Sequence, residues 1–151
     1  MATRAGERLF CDTNVLLSAV DRRRPLHSRA FRILNEVPNQ GVELCVSGQV
    51  LRECLVVSTR PVEANGLGLT LAAAVGTNRA FAERATVLEE TRGVANRLPR
   101  VAEAARCAGK ALHDANIAAT MLEHGVTRVV TANPQDLMRF EGIEVVPLSD
   151  V

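Results

Sequence analysis

An acid, a hydroxyl and an amide stand between two apolar runs in the stretch Leu9-Phe10-Cys11-Asp12-Thr13-Asn14-Val15-Leu16-Leu17. The first run predicts a buried strand over Glu7 to Cys11, and the second predicts a helix that begins at Thr13. A carboxylate at such a junction is costly unless it is hydrogen-bonded, paired or bound to a metal. Asp12 therefore either caps the helix or belongs to a charged site that the rest of the chain completes.

The size and composition of the chain predict one ordinary globular domain over residues 1–151. Hydrophobic residues make up 47% and charged residues 23%, and the formal net charge of +1 argues against a strongly basic nucleic-acid-binding module. No apolar run approaches the roughly 20 residues of a membrane span. The segment from Met1 to Arg8 lacks the apolar stretch of a secretory signal, so we expect a cytoplasmic protein without a membrane partner.

Arginine and cysteine usage adds detail. Lys110 is the one lysine among 18 basic residues, and the arginine fork suits phosphate oxygens. The densest basic cluster, Arg22, Arg23 and Arg24, is either a solvated loop or a phosphate contact. The four cysteines are scattered without a C-x-x-C pair, which predicts reduced and mostly buried thiols.

Strand and helix patterns alternate along the chain, which predicts βαβ units and a parallel sheet covered on both faces. The predicted fold class is α/β, with a helix-rich insertion in the middle. The predicted strands span 7–11, 42–46, 128–131 and 143–146. The predicted helices begin at 13 and span 28–37, 50–59, 78–90, 100–109, 114–123 and one short turn after a cap at Asn133, with Gly93 as a helix break.

Polar side chains occur where the strands of this sheet should end. Asp12 follows the first strand, and the helix after the second strand carries Glu53. Asp114 begins the helix before the third strand, and Thr131 and Asn133 lie at the C-terminal end of that strand. Because sites in open parallel sheets form beyond the C-terminal strand ends, these groups are candidates for one edge of the sheet.

Each acid also has a purely structural interpretation. Asp12 and Asp114 are well placed as helix caps. Glu53 suits a solvated helix face, and Asp136 suits the first turn of a short helix, where the helix dipole favours an acid. The pattern alone leaves these alternatives open.

Together the acids have an electrostatic consequence. Two carboxylates ~5 Å apart repel by about 3 kcal/mol at an effective dielectric near 20. Three or four in one cleft would raise their pKa values or bind a cation. Oxygen ligands without histidine or cysteine suit Mg²⁺ or Mn²⁺, which predicts metal-assisted phosphodiester hydrolysis.

Four stretches carry a resemblance, in order along essentially the whole chain. They are Phe10 to Leu17, the helix with Glu53, His113-Asp114-Ala115-Asn116-Ile117-Ala118-Ala119-Thr120, and Val130-Thr131-Ala132-Asn133-Pro134-Gln135-Asp136-Leu137. Together they resemble the PIN-domain nucleases, and most closely the VapC toxins of prokaryotic type II toxin–antitoxin systems. Arg60-Pro61 and Asn65 to Leu69 also look like a stretch of some VapC relatives, and the sequence offers no mechanism for it.

The resemblance implies a three-layer α/β/α fold around a short parallel sheet of about four to five strands. It also implies an endoribonuclease that depends on Mg²⁺ or Mn²⁺. By motif, Asp12, Glu53 and Asp114 match the three acids of the family. We assign Asp12 and Asp114 to the metal, and Glu53 to orienting or deprotonating the attacking water.

Supporting residues follow from the same motifs. Thr13 matches a hydroxyl that supports the first acid, with Asn14 and Thr131 as further supporting groups. The fourth acid of many family members is replaced here by Asn133, a common variant that is usually followed by an acid three residues later, here Asp136. Either Asn133 offers a neutral carbonyl oxygen or Asp136 acts through water. With one charge fewer, we expect one tightly bound metal ion rather than two.

The resemblance further implies an RNA substrate, a cognate VapB-type antitoxin and a toxin homodimer within their complex. An apolar groove around Leu26 to Leu34 and Leu51 to Val57 is the expected landing surface for the antitoxin. The cluster from Arg22 to Arg24 is the expected contact for RNA backbone.

Three other interpretations compete with this one. A haloacid-dehalogenase-like phosphatase needs a second acid where Asn14 stands and a later lysine, for which there is only Lys110. A catalytically weak or inactive PIN-like domain that binds RNA or a partner is compatible with Asn133. A housekeeping PIN ribonuclease outside any toxin system has the same motifs.

Overall fold

The computed structural model describes residues 6–151 of the chain. Its strands are β1 (Arg8–Cys11), β2 (Glu43–Ser47), β3 (Thr86–Leu88), β4 (Arg128–Thr131) and β5 (Glu144–Pro147). All neighbouring strands pair in parallel, and they form one sheet in the order β3-β2-β1-β4-β5. The predicted parallel sheet is confirmed. The segment from Met1 to Arg8 was predicted to lack a secretory signal. Residues 1–5 of that segment lie outside the part of the chain that the structure describes.

Helices cover both faces of this sheet. They are α1 (Thr13–Val20), α2 (His27–Asn35), α3 (Gly48–Thr59), α4 (Leu71–Arg84), α5 (Arg92–Ala104), α6 (Ala111–Glu123) and α7 (Pro134–Leu137). Helix α1 packs on α2 and α3, and α3 packs on α4, while α6 packs on α5 and α7. Right-handed crossovers place these two groups on opposite faces, because the chain reverses direction along the sheet after β3. The predicted α/β/α layering is confirmed.

The central strand explains why the predicted strands are almost wholly apolar. In β1, Leu9 is 1% exposed, and Phe10 and Cys11 are fully buried between the two helical layers. Val129 and Val130 in the neighbouring β4 are fully buried as well. Burial of a leucine or phenylalanine side chain contributes about 1.5–3 kcal/mol, so the centre of the sheet fixes the strand ends firmly.

The strand order creates a switch point beside β1. The chain leaves β1 towards β2 and β3, and it returns to the other side of β1 only at β4. Cys11 lies opposite Val130 in this pairing, and the backbone N–H of Asp12 donates to the Val130 carbonyl at 3.1 Å. A crevice forms outside the C-terminal strand ends at such a point. Asp12 and the segment after Thr131 lie beside it.

The middle of the chain differs from its prediction in one strand. The helix predicted over 78–90 is wrong, because α4 spans Leu71–Arg84 and β3 follows at once. Thr70 caps α4, accepting a hydrogen bond from the Ala73 N–H at 3.2 Å, and the helix continues through an exposed Gly76. Thr86-Val87-Leu88 then pairs with β2 as an edge strand, as its β-branched residues favour.

The predicted helix break at Gly93 is also wrong. Thr91 caps α5 by accepting from the Val94 N–H at 3.4 Å, and Gly93 lies in the first turn of that helix. The helix continues through Pro99 to Ala104, so the helix predicted over 100–109 begins eight residues earlier. A β-carbon at Gly93 would overlap the Glu123 carboxylate, so a larger residue there would displace the Glu123 side chain.

Helix α6 begins at Ala111, so Asp114 lies in its first turn and is not its cap. The interpretation of Asp114 as a helix cap is therefore wrong. Ser47, in contrast, caps α3 through the Val50 N–H at 3.3 Å. Asn133 stands at the N-cap position of α7, but its side chain makes no capping hydrogen bond.

The cysteines match their prediction. Cys11, Cys45 and Cys54 are buried, Cys107 is half-buried, and all four are free thiols. Burial raises the pKa of the Cys54 thiol to about 12, with smaller contributions from nearby carboxylates, so this thiol is unreactive. No helix within residues 6–151 is long and apolar enough to cross a membrane.

The segment after α3 folds back on the end of that helix. The N–H groups of Leu67 and Leu69 donate to the carbonyls of Val57 and Ser58 at 3.0 and 2.9 Å, which satisfies two of the last orphan carbonyls of α3. Gly66 packs so tightly on Arg60 that a β-carbon would overlap the Arg60 carbonyl. This close approach is a physical reason for glycine in the stretch from Asn65 to Leu69.

We predict opposite effects for two glycine substitutions. Gly66→Ala should lower the free energy of unfolding by about 2 kcal/mol, because backbone must move to admit the new methyl group. Gly76→Ala, in α4 with nothing within 4 Å of an added β-carbon, should raise it by about 0.5–1 kcal/mol. Urea denaturation checks both values. Equal effects of the two substitutions would contradict this account of the turn.

Candidate active site

The carboxylate of Asp12 is held at the end of β1 by three donors. Its Oδ1 accepts from the Thr13 backbone N–H at 2.7 Å. Its Oδ2 accepts from Asn14 Nδ2 at 2.8 Å and from the Thr131 hydroxyl at 2.7 Å. Asp12 is the N-cap residue of α1, so its interpretation as a cap is confirmed, and this position is compatible with the predicted charged site. We call Asp12, Asn14 and Thr131 the strand-end clamp.

The strand-end clamp joins the ends of β1 and β4. Asn14 Oδ1 accepts from the Ala132 N–H at 2.8 Å, and Asn14 Nδ2 also donates to the Thr131 hydroxyl at 3.1 Å. The Thr131 hydroxyl oxygen accepts from the Asn133 N–H at 3.0 Å. The clamp therefore fixes both the first acid and the start of the segment that leads to α7.

Thr13 acts differently from what the resemblance implies. Its hydroxyl donates to Glu53 Oε2 at 2.8 Å, whereas Asp12 receives only its backbone N–H. The hydroxyl expected to support the first acid therefore supports the second. This contact joins the first turn of α1 to the middle of α3.

Gln49 holds the other oxygen of Glu53, and the sequence reasoning missed it. The Gln49 side chain is 2% exposed, and its Nε2 donates to Glu53 Oε1 at 2.9 Å and to the His113 carbonyl at 3.0 Å. Its Oε1 accepts from Asn116 Nδ2 at 2.7 Å. Glu53 is therefore not a solvated helix residue, since both of its oxygens accept hydrogen bonds.

Glu90 completes this chain of contacts from the end of β3. Its Oε1 accepts from the Gln49 backbone N–H at 2.7 Å in the first turn of α3, and its Oε2 accepts from Asn116 Nδ2 at 3.4 Å. An acid at a helix N-terminus is favoured by the helix dipole. The contacts of Gln49 and Asn116 connect α3 to α6, and so connect the two helical layers across the strand ends. The sequence contains a hint of these contacts. Gln49 precedes Glu53 by one helical turn, and Asn116 lies within the motif of Asp114.

Asp114 stands in a strongly acidic environment. Burial, together with the smaller effects of the charges of Asp136, Asp12 and Glu53, raises the pKa of its carboxyl to about 6, while the charge of Arg139 acts in the opposite direction. Burial also raises the pKa of Asp12, against the hydrogen bonds of the clamp and together with the charge of Glu53. Four acids from β1–α1, α3, α6 and α7 thus act on one another at the switch point.

The donor set fits a hard divalent cation in its chemistry. The groups are carboxylates, and Asn133, at the N-cap position of α7, offers an amide oxygen in the segment after β4; such oxygen donors suit Mg²⁺ or Mn²⁺. Within residues 6–151, no three acidic, histidine or cysteine side chains already form a metal-binding cluster. Mg²⁺ commonly uses one or two carboxylates and keeps several waters, so separated acids are compatible with it. Repulsion among the acids is the observation that favours a cation.

The predicted arginine cluster lies in the loop between α1 and α2. Arg22 and Arg23 are exposed, and Arg23 forms an ion pair with Asp21 at 2.8 Å. Arg24 is half-buried, lies 3.8 Å from the Asp21 carboxylate, and its charge reaches the Cys54 thiol, next to Glu53 in the chain. Arg24 is therefore the least exposed arginine of the cluster.

Comparison with known proteins agrees with this architecture. A family model for the PIN domain matches residues 9–142. The chain belongs to the PIN-domain family. A search of curated proteins found no significant match.

Solved structures share this PIN-domain fold at low sequence identity. VapBC from Salmonella typhimurium bound to DNA superposes with a TM-score of 0.67 at 22% identity, covering 94% of this chain and 98% of that one. VapBC2 from Rickettsia felis bound to a promoter DNA fragment gives 0.68 at 14% identity, covering 93% and 98%. The sarcin-ricin-loop-cleaving toxin VapC20 from Mycobacterium tuberculosis gives 0.61 at 18% identity, covering 80% and 86%. These likenesses show a common fold.

We predict that Gln49 stabilises this PIN domain through its buried contacts. Gln49→Leu should lower the free energy of unfolding by about 2–3 kcal/mol, because it leaves Asn116 and the His113 carbonyl without their partner. Arg52→Leu, at an exposed position of the same helix, should change it by less than about 0.5 kcal/mol. Urea denaturation measures both values. Similar changes for the two variants would show that the buried contacts of Gln49 do not stabilise the fold.

A second prediction concerns pH. The Asp114 carboxyl has a pKa of about 6 in the folded protein against 3.8 for the ordinary group. Between these values the unfolded chain has released the proton and the folded protein retains it, so this group makes stability fall as pH rises. Asp114→Asn removes that dependence. Its melting temperature relative to wild type should therefore increase from pH 4 to about pH 6 and then level off.

Thermal denaturation in EDTA, at intervals across that pH range, checks this expectation. Glu63→Gln is the matched control, because Glu63 is exposed in a short turn after α3. A constant difference between Asp114→Asn and wild type at every pH would show that the acids do not act on Asp114.

Proposed function

We propose that this PIN domain is a metal-dependent endoribonuclease and the toxin of a VapBC-type pair. One observation supports the proposal above all others. Hydrogen bonds bring acids from distant parts of the chain to the switch point: Thr13 donates to both Asp12 and Glu53, and Gln49 joins Glu53 to the His113 carbonyl, next to Asp114. A purely structural domain has no reason to gather acids there, since their mutual repulsion is unfavourable.

Asp12 and Asp114 would hold Mg²⁺ or Mn²⁺, which we expect as a single tightly bound ion. When bound, the ion polarises the phosphate and lowers the pKa of a water molecule. The strand-end clamp keeps Asp12 in one orientation before any ion arrives, because three donors fix its two oxygens. Such preorganisation reduces the cost of ordering the site on binding.

Glu53 would orient the attacking water rather than move freely to take its proton. Both of its oxygens accept a hydrogen bond, from the Thr13 hydroxyl and from Gln49 Nε2. Each carboxylate oxygen has capacity for a further donor, so a water O–H can still bind. Asn133 and Asp136, both exposed, would complete the outer side of the site towards the RNA.

The partner assignment rests on the neighbours and on exposed apolar side chains. VapBC complexes pair a toxin with an antitoxin, and we propose a VapB-type antitoxin for this chain. Phe31 of α2 and Val56 of α3 are each 50% exposed, and both helices pack on α1. These two helices are the expected landing surface for the antitoxin, within a complex that contains a toxin homodimer.

The substrate is proposed to be RNA with a defined structure. The neighbour from Mycobacterium tuberculosis is named for cleaving the sarcin-ricin loop, which is one precedent on this fold. Incubation of the purified protein with total RNA and Mg²⁺, followed by mapping of the new 5′ ends, tests whether a single structured site is cut.

Asp12→Asn and Asp114→Asn should each reduce RNA cleavage by at least about 100-fold, because each removes a metal-binding carboxylate. Glu63→Gln, which changes charge equally at an exposed turn, should retain the wild-type rate. Circular dichroism must show that all variants are folded. Wild-type cleavage by either Asp variant would refute the site assignment.

The assay also separates the alternative functions. Metal-dependent binding of RNA without cleavage would favour the catalytically inactive PIN-like domain. Cleavage without growth arrest on expression, or arrest that an adjoining small gene does not relieve, would favour a housekeeping PIN ribonuclease.

A further inference from the structure

A cleft of about 680 Å³ lies outside the acidic site, between α5 and the segment 139–142 that follows α7. Its volume is sufficient for a nucleotide-sized group. The side chains that line it share two chemistries, an apolar floor and charged walls. The floor contains Val101, Leu122 and Phe140, and the walls contain Arg97, Arg100, Arg139, Glu123 and Glu141.

Close packing of glycines gives the cleft its shape. Gly93 of α5 lies where a β-carbon would overlap the Glu123 carboxylate at the end of α6. Gly142 has a φ of +82° and lies where a β-carbon would be 3.2 Å from Leu122 Cδ2. Gly93 and Gly142 therefore both pack against the C-terminal end of α6, and the arginines of the two walls line the same cleft.

The positive charge of the cleft is only partly neutralised. Glu123 forms an ion pair with Arg97 at 2.9 Å, so it is already engaged. Arg100 and Arg139 are exposed, and no ion pair joins either of them to another residue in the described part of the chain. Two arginine forks are thus available to an anion, and this geometry suits phosphate oxygens.

The cleft continues from the acidic site. Arg139 follows Asp136 by three residues, and its charge reaches Asp114. At the other wall, Ala104 and Ala105 end α5 and lead into the connection to α6, whose first turn carries Asp114. Both walls of the cleft therefore lead, within a few residues of the chain, to elements that carry an acid of the site.

We propose that the cleft binds the phosphate backbone of the RNA strand next to the site of cleavage. The inference rests on the proposed nuclease function. Four carboxylates repel a phosphate chain, so affinity for the substrate must come from cations beside them. Arg100 and Arg139 supply that attraction, and the apolar floor packs against ribose. A run of phosphates fits two spaced arginines better than an acidic peptide does, because each phosphate can bind one fork.

The experiment measures binding in EDTA, so that cleavage does not interfere. The probe is a fluorescein-labelled single-stranded RNA of 12 nucleotides, and anisotropy gives Kd over a range of KCl concentrations. Arg100→Gln combined with Arg139→Gln should weaken binding several-fold. It should also reduce the slope of log K against log[KCl] by about 1.4, at roughly 0.7 for each phosphate that an arginine no longer neutralises.

Two control variants separate local contacts from net charge. Arg32→Gln combined with Arg79→Gln removes two exposed arginines from α2 and α4, in the opposite helical layer, and should leave the slope nearly unchanged. Arg100→Lys combined with Arg139→Lys keeps the charges and should retain most of the wild-type slope. Glu123→Gln releases Arg97 and should tighten binding.

The outcomes distinguish this inference from the proposed function. An unchanged slope in the double Gln variant, or an equal reduction in the control pair, would overturn the cleft assignment even if the protein cleaves RNA. The expected slopes without any cleavage would support the cleft and refute the nuclease. Weaker polyglutamate binding with unchanged RNA binding would show that the cleft holds an acidic protein segment instead.

Discussion

The hydrogen bonds that hold Asp12 are the interaction on which the rest of the site depends. A carboxylate between a buried strand and a helix would be strongly unfavourable without partners. The strand-end clamp supplies two side-chain donors, and the Thr13 N–H supplies a third. Because Thr131 ends β4 and Asp12 ends β1, the acid is stabilised only when the two strands are in the observed register. Folding of the sheet and formation of the site are thus the same event.

The other acids reach Asp12 through contacts between layers. Glu53 belongs to a helix on one face of the sheet, and Asp114 to a helix on the other face. Gln49 connects them, since it donates both to Glu53 and to the His113 carbonyl next to Asp114. A buried amide that makes all of these bonds is stabilising, whereas a partly satisfied one would be costly. A side chain that is not itself a candidate metal ligand therefore joins the two helices that carry Glu53 and Asp114.

The sequence predicted the strands that are buried on both faces, because their continuous apolar runs have no other explanation. It failed at β3, an edge strand of three residues that a preceding helix pattern obscured. It also failed at Gly93, where local preference indicated a helix break but the structure has the first turn of α5. Packing against α6 outweighs that preference, as tertiary contacts commonly do. The four acids were candidates because the strand pattern and the family motifs singled them out, whereas the contacts of Gln49 and of the Thr13 hydroxyl depend on three-dimensional packing.

The charges of this PIN domain are arranged in an unfavourable way that a ligand would correct. Burial and, to a smaller extent, the neighbouring acids raise the pKa of Asp114 to about 6, so at neutral pH the folded protein contains a carboxylate that its surroundings disfavour. Any cation that binds the folded state and not the unfolded chain stabilises the fold by mass action. Arginines beside the cluster, such as Arg139, relieve part of the repulsion without occupying the site. Under the proposed function, the arginines of the cleft would attract a phosphate chain and leave the acids free for a metal.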